Sequence, residues 1–391
     1  MPFIVLCLIG AVAFFSSYLR LPVMPLYATS LGADPAQVGI ISGSFTLTAG
    51  LLSIPAGLLA DRVGRKIPVI IGSLAIALSS FLIPLCWQPF QMAVVYALFG
   101  VGLAAFAPAM LSLVADVVPP EKFGQAYGWY TTAGYLAMTL GPAAGGFLAE
   151  TIGQREVFLV SGGLSALVTL CALLLLPKGI SRHRSELHSV VGGSVLLVRN
   201  HFFLACLVAT VGSCIGYGVF LTFLPLSALV HGVTPAQVGI LFAVQALTNV
   251  ICRIPIGIIA DKIDRRLIVV LGMVILAAAL ALLGFAVQMM TMLVCIVFLG
   301  IGMALIYTAV GALIAEQVPV LQRGLAMGMY HSCVFLGMMA GSTAMGVALK
   351  SVSYAVGYAV SGILALVALC WFMLLSRVFK SGCDGLPMAD K

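Results

Sequence analysis

The chain has 391 residues, 62% of them apolar and 8% charged, with 19 Lys and Arg against 12 Asp and Glu and a net charge of +7. Soluble domains carry about 25% charged residues, so a water-facing surface is excluded over most of the chain and lipid must solvate it. The basic excess suits the anionic face of a bilayer and does not argue for nucleic acid as a partner.

Apolar runs of about 20 residues read as membrane-spanning helices. Twelve are expected, over residues 3–28, 36–60, 67–87, 90–115, 123–149, 156–177, 202–229, 236–260, 267–287, 290–315, 324–349 and 353–376. Lipid offers no hydrogen-bond partner, so each span must satisfy its own backbone. The alternating ten-residue strands of a membrane barrel are missing from the sequence. The expected class is an all-α membrane protein.

The first span carries Arg20 on a stripe with Ala13, Ser16, Ser17, Met24 and Tyr27. At 1.5 Å per residue Arg20 lies about 12 Å from the end of its helix. Ionisable groups at that depth are costly and default to functional hypotheses. Two readings stand: a structural or snorkelling arginine, or a cavity group, with Ser17 beside it, for an anionic or strongly polar substrate. The second span opens on Gly32-Ala33-Asp34-Pro35-Ala36-Gln37-Val38-Gly39-Ile40 and closes on a charged turn, Gly57 to Lys66, holding Asp61, Arg62 and Arg65. The fourth span carries Gly100-x-Gly102. The fifth carries Gly128 and then Gly141-Pro142-Ala143-Ala144-Gly145-Gly146. Small residues let helices approach and Pro142 removes one helical hydrogen bond, so a bend and close packing are expected there.

Residues 178–201 form the widest polar gap and read as a linker between a 1–177 half and a 202–380 half. The seventh span brings Tyr217. The eighth brings Gln245, Asn249, Cys252 and Arg253 at helical spacing, one polar stripe. Gln245 and Asn249 are expected in the cavity, and Arg253 either in an inner gate or on substrate. The second charged turn holds Asp261, Arg265 and Arg266. The tenth span carries Tyr307 and the eleventh His331, near its middle. Imidazole is the side chain that ordinarily titrates near neutrality, so His331 reads either as a hydrogen-bond partner or as a proton-coupling group. Tyr130, Tyr217, Tyr307 and Tyr330 would line the cavity or fill the bundle. The tail from residue 381 is polar. The ten cysteines have no metal-ligand spacing, and neither a metal nor a cofactor is expected.

Residues 32–75 and 232–275 share 17 identities over 44 positions without a gap, and Gly100, Gly102, Gly124, Gly128, Gly141 and Gly146 recur 200 residues later. A duplicated half in so apolar a chain points to a transporter that rocks about a central site. Fifteen of the 19 basic residues fall in turns or the tail on one side if both termini are cytoplasmic, the asymmetry that sets orientation in a plasma membrane. The mismatches between halves, among them Arg20 with Phe220, Gln245 with Phe45, Arg253 with Ser53 and His331 with Thr131, mark where chemistry is expected.

The turn with Gly57, Asp61, Arg62, Gly64, Arg65 and Lys66 resembles the signature of the major facilitator superfamily, and the second copy departs at Asp264 where the pattern has Gly. The resemblance implies a twelve-helix fold of two pseudo-symmetric six-helix bundles. It also implies a gating role for Asp61 and Asp261 against the facing half, near the helices that begin at Arg323 and Phe123. The fifth span resembles the antiporter signature of drug:proton-type members, with Ala137 replacing a Gly. The resemblance to drug and sugar efflux permeases implies a secondary active carrier exporting a small organic solute against a proton gradient. Uptake of an organic anion by symport or uniport is the alternative. Proton-coupled members of this kind carry an Arg where this chain has Tyr96. No nucleotide-binding loop or nucleophile/base pair is present in the sequence, so an enzyme is not expected. A monomer in the bilayer is.

Overall fold

The computed structural model describes residues 2–119, 122–176, 197, 200–260, 262–318 and 322–383. Thirteen α-helices make up its long elements. α1 (Pro2–Leu19) and α2 (Val23–Ser30) together form the first span. The others follow one per span: α3 (Pro35–Val63), α4 (Lys66–Leu82), α5 (Pro89–Val117), α6 (Phe123–Thr151) and α7 (Gln154–Leu175) in the first half. The second half holds α8 (His201–Val230), α9 (Pro235–Ala260), α10 (Arg265–Leu283), α11 (Met289–Gln317), α12 (Arg323–Ala348) and α13 (Tyr354–Cys383). α13 runs three residues into the expected polar tail. The expected linker lies almost wholly outside the described residues. Eleven spans are long and apolar enough to cross a membrane. The fifth, α6, falls short because Gly, Thr and Tyr dilute its apolar content.

The repeated opening of the second and eighth spans is a capping device. Asp34 accepts from the Gln37 backbone N–H at 2.8 Å while the Asp34 N–H donates to Gln37 Oε1 at 2.9 Å. Thr234 and Gln237 repeat the exchange at 3.4 and 2.9 Å. Such a box satisfies two orphan donors of a helix N-terminus. The residue before each box sits after a Gly with positive φ, 85° at Gly32 and 76° at Gly232, a conformation other residues resist.

The charged turns are also built alike. Arg65 pairs with Asp116 and donates to Ser112 O at 2.7 Å, and Lys66 donates to Leu176 O at 2.7 Å. Two hundred residues later Arg265 pairs with Glu316, and Arg266 donates to Ser376 O at 3.3 Å. Each turn is thereby fastened to the ends of two other helices of its own half. At Gly64 φ is 83°, whereas Asp264 has φ −60° and caps α10 through Arg266 N at 2.9 Å. A side-chain cap replaces the glycine turn, which is the physical content of that departure.

Helix pairing repeats as well. α3 packs on α5 as α9 packs on α11, and α1 on α6 as α8 on α12. Without a hydrophobic drive between helices in lipid, small residues let them approach. Gly72 and Gly102 leave no room for a Cβ at the α4–α5 crossing, and Gly272 and Gly302 crowd α10–α11 in the same way. Large apolar side chains such as Phe90, Ile254 and Phe285 point outward, 70–77% exposed, as a lipid-facing surface requires.

The halves meet chiefly where α3 lies along α12 and α6 along α9. The face remote from the chain ends is closed. There Gly39 abuts the Ser342 carbonyl and Gly346, and Gly146 abuts Pro235 O and Gly239. Lys350 reaches Asp34 at 3.2 Å, and Glu150 accepts from the Ala236 N–H at 3.1 Å. Towards the face carrying the chain ends, Gly57, Gly128, Gly257 and Gly311 have no neighbouring atom within 4 Å of a Cβ position. Among the described residues α6 and α9 leave open space at Gly128 and Gly257, while α3 and α12 still touch, Ile54 lying 3.2 Å from a Cβ position at Gly328.

Candidate functional site

Polar side chains converge where α9 faces α6, about 10 Å from the α9 end at Ala260, counting 1.5 Å per residue. Arg253 is partly buried there. Its Nε donates to Asn249 Oδ1 at 2.9 Å, and its Nη1 donates to the Tyr135 hydroxyl, which belongs to the other half. The guanidinium carbon stands 4.7 Å from the Tyr135 ring centroid and 6.0 Å from that of Tyr307. A cation over aromatic faces is attracted by their quadrupoles.

The rest of the stripe on α9 supports this group. Asn249, 8% exposed, anchors its amide on Gly300 O at 3.4 Å and turns its oxygen to Arg253. Gln245, 4% exposed, accepts from the Tyr217 hydroxyl at 3.4 Å. Of the two residues expected to line the cavity, Asn249 holds Arg253 and Gln245 meets Tyr217 of α8. The reason is register: α9 turns Gln245 and Asn249 onto α8 and α11, and Arg253 onto α6. Tyr307 contacts Cys214 Sγ at 3.4 Å and Tyr330 edge-on at 6.4 Å. His331 is exposed, its Nδ1 2.8 Å from Met327 O and its ring edge-on to Tyr330 at 5.3 Å.

Arg20 does not join this cluster. It is 0% exposed within the first half. Nη1 donates to Ser79 at 3.1 Å and Ser80 at 2.9 Å, and the guanidinium lies 3.7 Å from the Phe99 ring centroid. Ser80 in turn exchanges a hydrogen bond with Ser161 at 3.2 Å. Ser17 is buried and tied to Ala13 O of its own helix at 2.8 Å. The break between α1 and α2, where Val23 N and Met24 N both turn to Arg20 O, aims this side chain at α4 and α5.

The glycines of α6 divide by role. Gly141 and Gly145 seat α1 at Tyr18 and Leu19, while Gly146 and the Pro142 carbonyl seat α9 at Pro235 and Gly239. Gly128 faces open space. A cleft of about 410 Å³ lies there, lined by Gln125, Gly128, Trp129 and Thr132. Among the residues expected to gate, Arg65, Arg265 and Arg266 bond within their own halves as described. The Asp61 and Arg62 side chains and all of Asp261 lie outside the described residues. Tyr135 is the site residue absent from the positions marked in the sequence. It stands opposite Phe335 in the repeat, the same mismatch signal that marked the rest.

The sequence profile described as Major Facilitator Superfamily matches residues 6–232 and again 206–385. An uncharacterized MFS-type transporter of Methanocaldococcus jannaschii is 26% identical over 351 residues, 88% of this chain and 90% of that one. The multi-drug resistance efflux pump PmrA of Streptococcus pneumoniae is 35% identical over 179 residues, 41% of this chain and 43% of the pump. In fold, the chain matches a bacterial homologue of the human lysosomal transporter Spinster, solved in an inward-facing and unoccupied conformation. The TM-score is 0.83 at 17% identity, over 99% of this chain and 98% of that one. A profile matched across both halves, a duplicated helix pairing and a whole-chain likeness to a transporter agree: this multi-pass membrane protein is a transporter, not an enzyme, and it belongs to the major facilitator superfamily.

Proposed function

We propose that the chain exports a small organic solute by alternating access, driven by a proton gradient, as a monomer in the plasma membrane with both termini cytoplasmic. The observation that carries this reading is the asymmetry of closure. The face remote from the termini is sealed by the glycine contacts of α3–α12 and α6–α9, while α6 and α9 leave open space at Gly128 and Gly257 below the Arg253 cluster. The basic turns lie on the terminal face, which the positive-inside rule places in the cytoplasm. Solute would therefore load from inside. PmrA, an efflux pump, supports the direction, although the match spans about two fifths of its length. His331, exposed beside Tyr330, is the candidate for proton exchange.

Inverted membrane vesicles holding the protein should accumulate labelled solute when the lumen is acidified, and collapse of the pH gradient should release it. Accumulation in right-side-out vesicles alone would overturn efflux. One observation favours the second reading, uptake of an organic anion by uniport or symport: among the described residues no carboxylate stands at mid-span beside Arg253.

A further inference from the structure

We infer that Arg253 is the anion-gripping residue of the transport site and that the solute is an organic monoanion with an aromatic or apolar body. This rests on the transport reading above and narrows its substrate class.

Charge is the first argument. Among the described residues every acidic side chain stands at a helix end. Asp34 and Glu150 lie on the sealed face with Glu156 in the first turn of α7. Asp116 and Glu316 are paired to Arg65 and Arg265, and Asp264 caps α10. Among the described residues Arg253 thus meets hydroxyl, amide and aromatic groups but no carboxylate. A cation in membrane is expensive without a counter-charge. A lipophilic cation entering this site would add to that cost, whereas an anion would offset it.

Preorganisation is the second. A guanidinium has five N–H donors. Asn249 holds Nε and Tyr135 holds Nη1, which orients the planar fork without neutralising it. Asn249 is itself fixed on Gly300 O. Bidentate recognition of a carboxylate or sulfonate needs such a fork.

Access and shape are the third. Gly128, Thr132 and Tyr135 recur at helical spacing and share one face of α6. Gly128 and Thr132 line the cleft, and Tyr135 follows them on the same face of α6. The rings of Tyr135 and Tyr307, both partly buried, offer apolar faces to the body of the solute, with hydroxyls to place it.

The test uses the purified full chain and three probes: 2-naphthoate, its neutral carboxamide of the same size, and the larger lipophilic cation tetraphenylphosphonium. Naphthoate should bind saturably and stabilise the protein against heat, as a ligand selective for the folded state does. The carboxamide should bind roughly tenfold or more weakly. Arg253→Gln should weaken naphthoate about 10- to 100-fold, the loss of a charge-assisted pair, and Arg253→Lys should recover part of it. Equal naphthoate affinity in Arg253→Gln, or tighter binding of tetraphenylphosphonium than naphthoate by the unaltered chain, would overturn the assignment. The probe comparison needs no variant, so a misfolded Arg253→Gln does not shield the proposal. Naphthoate binding without accumulation in inverted vesicles would sink the efflux reading and leave the anion site standing.

Discussion

Arg20 and Arg253 are both arginines inside spans, and each stands on a polar stripe of its own helix. Their surroundings separate them. Arg20 is enclosed by serines and the Phe99 face, with Nε and Nη2 unpartnered in the structure. Arg253 reaches across to Tyr135 of the other half. Helical spacing identifies a stripe but not the neighbour it will face, because the neighbour comes from residues 59 or 118 positions away. A buried charge without a counter-ion carries a desolvation cost of several kcal/mol, which an apolar group of similar volume removes. Arg20→Met is therefore expected to keep transport within about threefold of the unaltered chain and to hold or raise the thermal midpoint. Abolished transport by a folded, inserted Arg20→Met protein would return Arg20 to the transport cycle.

At the scale of elements, helix ends carry the gate on the sealed face. Positions 150 and 350 are repeat partners, as are 34 and 234. Lys350 meets the charged cap Asp34, while Glu150 meets the start of α9, whose cap Thr234 is neutral. The contact is conserved in place and changed in charge to suit its target. A carboxylate at a helix N-terminus contributes about 0.3–1 kcal/mol, so Glu150→Gln should favour opening of this face by roughly two- to fivefold. The readout is labelling, by a membrane-impermeant reagent, of a cysteine placed at Ser342 in a cysteine-depleted chain. Unchanged labelling would remove Glu150 from the gate. The pH dependence follows from Asp34, whose carboxyl is held below the usual range first by the Gln37 N–H, with Lys350 adding to it. The Gln37 cap lies within α3 and survives opening, so the gate's share is the Lys350 contact, complete above the ordinary aspartate range and lost as pH falls through the depressed value. Labelling should stay flat from about pH 5 to 8 and rise only in stronger acid. A rise near neutrality would assign the gate to another group.

For the whole molecule, closure depends on backbones touching. Gly39 lies against the Ser342 carbonyl, so a side chain there obliges α3 and α12 to separate. Gly39→Val should insert normally, leave the Ser342 position open to labelling at all times, and lose most transport; full transport would show that the close approach is dispensable. The repeat announced this architecture because span length, small residues and turn chemistry act within one helix or one turn, where lipid leaves the backbone few alternatives. The capping boxes at Asp34 and Thr234, the basic turns and the paired glycines at 102 and 302 belong to that local class, and the sequence by itself determined them. It also marked, through mismatches between halves, the positions where polar groups concentrate. Only the tertiary structure decided that Asn249 holds Arg253 while Gln245 meets Tyr217, that Arg20 is walled in, and that Tyr135 completes the Arg253 cluster. Those choices depend on which helix faces which across hundreds of residues, and a residue's own helical period carries no information about its distant partner.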